Sequence, residues 1–266
     1  MLSVANSLLF RYCLRLQDRR YDVSLLVIGV RKIVTMKKIL DLLLGVFYPD
    51  LCIACAEAQP VHGQPFCFSC SQLMPQTHYH KLPENQMMDR LYGRIDLVAA
   101  TALYFFTKES RVQQVLHQLK YNERPDVGVT LGEIHGRILR DVFPYKTAAG
   151  IVPVPLHPRR QKERGYNQSM AYAEGLSAAM GIPIFENALR RRTYTETQTR
   201  KSRIARLANV DEVFEITDAG MKLGQKHVIL VDDVMTTGAT IEACCKLLTS
   251  QADARVSIAT IALVSG

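Results

Sequence analysis

Leu40, Leu43, Leu44 and Phe47 fall at i, i+3, i+4 and i+7 behind Met36-Lys37-Lys38. That is the spacing of an amphipathic helix, and Pro49 stops it. Residues 1–35 show no such period and carry scattered arginines. They are expected to be a translated upstream stretch or a disordered arm, with Met36 as the natural first residue. From Asp96 the pattern alternates. Val98–Phe106 reads as a strand, and Arg111–Leu119 as a helix with Val112, Val115, Leu116 and Leu119 inward. Val127–Val142 reads as a second helix, Ile151–Val154 as a short buried strand, and Gln168–Met180 as a helix closed by Gly181. Val228–Val231 is a buried strand, Ala239–Leu248 a helix, and Val256–Leu263 a final strand. Strands alternating with helices predict a parallel sheet with right-handed crossovers. Residues 50–75 are rich in Cys, Pro, Gly, Gln and Ser, and 76–94 read as a polar linker.

Composition narrows the class. The 266 residues are 48% hydrophobic and 22% charged, enough for one α/β domain and a small module. No apolar run reaches the roughly 18 residues of a membrane helix. No cleavage site of small residues follows Val30, so a cytoplasmic protein is expected. The net charge of +8 is uneven. Residues 1–35 hold six basic side chains against two acidic ones, and residues 157–206 hold eleven against four. A local excess of this kind suits a pyrophosphate or a nucleic acid, and equally a solvated surface.

Cys52-x2-Cys55 and Cys67-x2-Cys70 are two pairs eleven residues apart. Four thiolates at this spacing predict a closed tetrahedral zinc site with a structural role. A redox pair or a ribbon that has lost its metal are the other readings. His62 is expected on the surface, and Cys244 and Cys245 in the core and on the back face of their helix.

The most informative stretch is Val228–Thr240. A buried strand ends at Asp232 and Asp233, and Thr236-Thr237-Gly238-Ala239-Thr240 leads into a helix. Ligands of open parallel sheets bind at strand C-termini. Free N–H groups at a helix start, joined by threonine hydroxyls, make an anion cradle, and Gly238 permits close backbone approach. A 5′-phosphate is expected in Thr236–Thr240. The vicinal ribose hydroxyls are expected on Asp232 and Asp233, directly or through a metal.

This stretch resembles the ribose 5-phosphate motif of type I phosphoribosyltransferases. Other segments extend the resemblance to the ComF (ComF/GntX-like) family of competence proteins over roughly residues 36–264. They are the four-cysteine module, Leu119-Lys120-Tyr121, Pro153-Val154-Pro155-Leu156, Arg164-Gly165-Tyr166-Asn167-Gln168, Thr195-x-x-Gln198 and Arg206-x-x-Asn209. The resemblance implies a type I phosphoribosyltransferase-like parallel sheet over 95–266, flanked by helices and preceded by a helix and zinc module over 36–75. It implies a pyrophosphate loop at Val152–Leu156, with Val154, Pro155, Arg159, Arg160 and Arg164 around the ligand. It also implies a hood at Tyr194–Arg206 carrying Gln198, Arg203 and Arg206. Mg²⁺ would accompany phosphoribosyl pyrophosphate.

A role in DNA uptake follows from the family. Single-stranded DNA and DNA-uptake proteins such as a ComF-operon helicase or DprA are the implied partners. A metabolic phosphoribosyltransferase with an unknown acceptor, or a non-catalytic sensor of phosphoribosyl pyrophosphate, would use the same site. No residue declares the acceptor.

Overall fold

The computed structural model describes residues 51–62, 64–121, 124–192 and 213–265. The expectations for residues 1–35, for the helix after Met36 and for the hood at 194–206 lie outside these residues. Those described belong to one compact unit, Leu51–Gly266.

Its centre is a four-stranded parallel sheet in the order β1 (Ala99–Phe106), β6 (Arg255–Val264), β5 (His227–Met235), β2 (Gly150–Pro153). Side chains of a strand alternate between faces, and β5 divides accordingly. Ile229 and Val231 join a core with Leu116 and Leu119 of α3 (Arg111–Tyr121), Leu131 of α4 (Pro125–Leu139) and Leu176 of α6 (Gln168–Met180). Val228 and Leu230 join a second core with Ile241, Cys244, Cys245 and Leu248 of α8 (Ala239–Ser250). Cys244 and Cys245 are both fully buried. Strands covered on both faces explain why the β5 and β6 sequences are near-continuous apolar runs.

Helices α4 and α6 touch backbone to backbone. A Cβ on Gly175 would lie 1.9 Å from the Val129 carbonyl oxygen. Helix α5 (Pro158–Arg164) follows β2. An antiparallel pair, β3 (Leu189–Arg191) and β4 (Phe214–Ile216), joined to a one-turn α7 (Asp218–Met221), was not expected from the sequence.

Two expectations change. Strand β5 runs on to Met235, so Asp232 and Asp233 belong to the ladder, with Asp232 opposite Thr260 and Val234 opposite Ala262. Residues 76–94 are a packed seam rather than a linker. Thr77 N–H donates to the Leu103 carbonyl and Phe105 N–H to the Pro75 carbonyl, which covers the β1 edge. Asn85 then caps α2 (Gln86–Leu91), accepting from the N–H groups of Met87 and Met88. Met87 and Leu91 are completely buried. A six-residue helix with two core contacts gives too short a period to read in sequence.

The cysteine-bearing segment, which includes α1 (Phe68–Leu73), packs into the first core. Ile53, Ala54, Phe66 and Met74 join Leu103, Val112 and Leu116 there. No helix among the described residues is long and apolar enough to cross a membrane.

Candidate functional site

The residues of the Thr236–Thr240 loop gather at the C-terminal edge of the sheet. After Met235 the chain turns through exposed Thr236 and Thr237 to Gly238, which takes a left-handed φ of 86°. That conformation is cheap only for glycine. It starts the 12-residue α8, whose first N–H groups have no partner within the helix, and the Ala239 N–H reaches Thr237 Oγ1 at 3.5 Å. The loop is held from behind by α2. Arg90 donates from Nη1 to the Thr236 carbonyl at 2.5 Å and from Nη2 to the Val264 carbonyl at 2.6 Å. Leu91 lies under Gly238, 3.2 Å from where a Cβ would be. Arg94 pairs with Glu242 in the first turn of α8 at 2.7 Å.

Two carboxylates stand beside this loop in different surroundings. Asp232 Oδ1 accepts from Ser169 Oγ at 2.8 Å and from the Asp233 N–H at 2.9 Å. Burial, and then the charge of Asp233, push its carboxyl up to about 7, against those hydrogen bonds and Lys120. Asp233 pairs with Lys120 Nζ at 3.0 Å. Sequence reasoning gave neither Ser169 nor Lys120 a role. The available signal was position, since Lys120 lies in Leu119-Lys120-Tyr121 and Ser169 follows Tyr166-Asn167-Gln168 directly.

Those two segments meet. Tyr166 Oη donates to the Leu119 carbonyl, Arg164 lies over the Tyr121 ring and donates to Gln168 Oε1 at 3.0 Å. Asn167 caps α6 and donates from Nδ2 to the Val154 carbonyl at 3.1 Å. One hydrogen-bonded network therefore joins the end of α3, the start of α6, the β2 loop and the aspartate pair.

The raised Asp232 carboxyl predicts a pH dependence. An unfolded aspartate titrates near 3.9, so between about pH 4 and 7 the folded chain holds a proton that the unfolded chain has lost. Stability contributed by this group is full below pH 4 and falls as pH rises toward 7. Asp232→Asn keeps an acceptor for Ser169 and the Asp233 N–H but cannot ionise. It should raise the melting temperature of the ligand-free protein at pH 8 and flatten its decline from pH 4 to 7. Wild-type and variant melting curves that stay parallel across that range would contradict this.

The β2 loop leads into an open cavity of about 740 Å³, lined by Pro153, Pro155, Leu156, Tyr166, Asn167 and Arg191 among others. Val154 is buried and its N–H donates to the Val231 carbonyl. Arg159 is exposed and pairs with Glu163 at 3.0 Å. Arg160 is exposed on the same helix. The structure brings Asp232, Asp233, the threonine loop, Val154, Pro155 and Arg164 to one edge of the sheet. Gln198, Arg203 and Arg206 are outside the described residues.

The second site is the cysteine cluster. The sulfur atoms of Cys52, Cys55, Cys67 and Cys70 all lie within 4.8 Å of one another, and Cys55 and Cys67 are 3.9 Å apart. A tetrahedron with metal–sulfur bonds of about 2.3 Å has edges near 3.8 Å. All four are free thiols, and three are buried. The Ala58 and Glu57 N–H groups hold Cys55 down at about 6, in the thiolate range at neutral pH. The spacing, donor type and burial fit a tetrahedral metal, and His62 is exposed as expected.

A phosphoribosyl transferase domain model matches residues 167–265. Competence protein F of Haemophilus influenzae is 32% identical over 137 residues, covering 50% of this chain and 60% of that protein. The chain thus spans only 60% of that relative's length. The DNA utilization protein YhgH of Escherichia coli K12 is 28% identical over 216 residues, covering 78% of this chain and 88% of the relative. Competence protein ComFC of Bacillus subtilis is 25% identical over 159 residues, covering 60% and 62%. Among solved structures, the allosteric regulatory enzyme of purine biosynthesis aligns over 53% of this chain and 29% of its own, with 20% identity and a TM-score of 0.36.

The parallel sheet, the aspartate pair with its threonine loop, and the domain match define a type I phosphoribosyltransferase-like protein. The four-cysteine cluster and these relatives support the resemblance to the ComF family.

Proposed function

We propose that this chain binds phosphoribosyl pyrophosphate, or the ribose 5-phosphate part of a related ligand, and works in DNA uptake with a structural zinc in its cysteine cluster. The observation that carries the ligand reading is the loop at Gly238. Its left-handed turn opens α8 shortly after two carboxylates in the last residues of β5. The 5′-phosphate accepts hydrogen bonds from the Thr237–Thr240 backbone and hydroxyls. The ribose hydroxyls donate to Asp232 and Asp233, and Lys120 leaves Asp233 as they arrive. The β2 loop with Pro155, Arg159, Arg160 and Arg164 faces the pyrophosphate, and the residues around Gln198, Arg203 and Arg206 cover it. Mg²⁺ arriving with the ligand supplies charge neutralisation at the pyrophosphate.

DNA uptake is supported by the names of the relatives, two of which are competence proteins and one a DNA utilization protein.

The test is a thermal melt with phosphoribosyl pyrophosphate and Mg²⁺. Ligand at 100 times its dissociation constant stabilises the native state by about 2.7 kcal/mol, which raises the melting temperature by several degrees. No shift at millimolar ligand rejects the phosphoribosyl site. In a parallel titration, a labelled single-stranded oligonucleotide should bind with an affinity that falls steeply with salt. Release of pyrophosphate with a nucleobase from a panel would instead favour a metabolic transferase.

A further inference from the structure

Arg190, Arg191 and Arg192 form the densest basic run among the described residues, and the β3–β4 pairing separates them. Arg190 and Arg192 point to the same side and share Glu215, at 2.5 and 3.2 Å. Arg191 points to the other side, as alternation along a strand requires. There it lies opposite Phe214, with its guanidinium 5.2 Å from the ring centroid. It has no ion pair among the described residues, and its buried Nε has no hydrogen-bond partner among them. Arg191 and Arg190 both line the cavity that also holds Pro153, Pro155 and Leu156 of the β2 loop, but Arg190 is paired with Glu215. Burial, and then the charge of Arg160, work against its own charge, while Asp232 favours it.

A half-buried guanidinium over an aromatic ring, with no carboxylate partner among the described residues, is held in place with its Nε–H unpaired there. Burying such donors unpaired is unfavourable, and the geometry of the fork suits two oxygens of one phosphate group. We infer that Arg191 is a fixed anchor for a pyrophosphate group, binding it at the rim of the cavity beside the β2 loop. The other two arginines of the run brace the hairpin through Glu215. This deepens the proposed phosphoribosyl reading and rests on it.

The experiment titrates the full chain, by calorimetry, with magnesium pyrophosphate and separately with ribose 5-phosphate. Arg191→Met keeps the apolar stem on Phe214 and removes the fork. It should weaken pyrophosphate binding about tenfold or more and leave ribose 5-phosphate binding unchanged, because one charge-assisted pair is lost at one end of the site. Arg191→Lys should fall between, since it keeps the charge without the fork. Arg192→Met, outside the cavity lining, should bind both ligands as the wild type does. Equal pyrophosphate affinity in Arg191→Met and wild type overturns the inference. So does a variant that loses both ligands together with its melting temperature, which would make Arg191 a structural residue. A wild-type chain that binds ribose 5-phosphate but not pyrophosphate overturns the inference alone, and one that binds neither overturns the phosphoribosyl reading with it.

Discussion

Stripping the metal from the cysteine cluster should unfold residues 51–75 and lower the melting temperature by on the order of 10 °C or more. The segment is loop-rich, with one six-residue helix, and few apolar residues of its own, chiefly Ile53, Phe66 and Met74. Structural zinc contributes about 10–16 kcal/mol in isolated zinc-finger peptides, far more than these contacts supply. Its loss also reaches the sheet, because the segment covers Leu103, Val112 and Leu116. Cys52→Ser should act in the same direction, leaving three thiolates around the ion. Elemental analysis should find one zinc per chain in the purified wild type, and calorimetry before and after chelation measures the drop. A chain that carries no metal, or melts unchanged once metal is gone, would show that packing alone holds the segment.

Gly238→Val should abolish binding of phosphoribosyl pyrophosphate while leaving most of the fold intact. Two effects add. A β-branched residue at a φ of 86° is strained, by about 1–2 kcal/mol or more. Its Cβ would also lie 2.9 Å from Met235 Cε and 3.2 Å from Leu91 Cδ2. The loop relieves both by moving, and the N–H groups at the start of α8 lose their common aim. Losing two charge-assisted hydrogen bonds to a phosphate corresponds to at least a hundredfold loss of affinity. The melting temperature without ligand should fall by only a few degrees, because the strain is confined to one turn. Retained affinity in this variant would place the phosphate elsewhere.

The elements that sequence revealed are those whose signal is local. The inward face of α3, the Asn167 and Gly181 ends of α6, and the apolar run of β5 each declare themselves within a dozen residues. Strands β3 and β4 do not, because three residues carry no period and their pairing partner lies 25 residues away. The same distance concealed Glu215 as the partner of Arg190 and Arg192, so the basic stretch reads in sequence as more exposed, unmatched charge than the fold leaves. At the site, motif order located the aspartates and the threonine loop. It could not separate the two aspartates. Their difference arises from burial and from Ser169 and Lys120, which belong to two other elements, α6 and α3.

The grip of α2 on the Thr236–Thr240 loop bears on how this protein can be divided. Residues 167–265 match a domain model, yet they contain only two of the four strands of the sheet, β5 and β6. The carbonyl of Thr236 is tied to Arg90, 146 residues earlier in the chain, and the underside of Gly238 rests on Leu91. A transplant of the matched stretch into another sheet would carry the loop's letters without the support that sets its shape. Changes at Arg90 or Leu91 would act as loop mutations, although any alignment confined to the motif would pass over them.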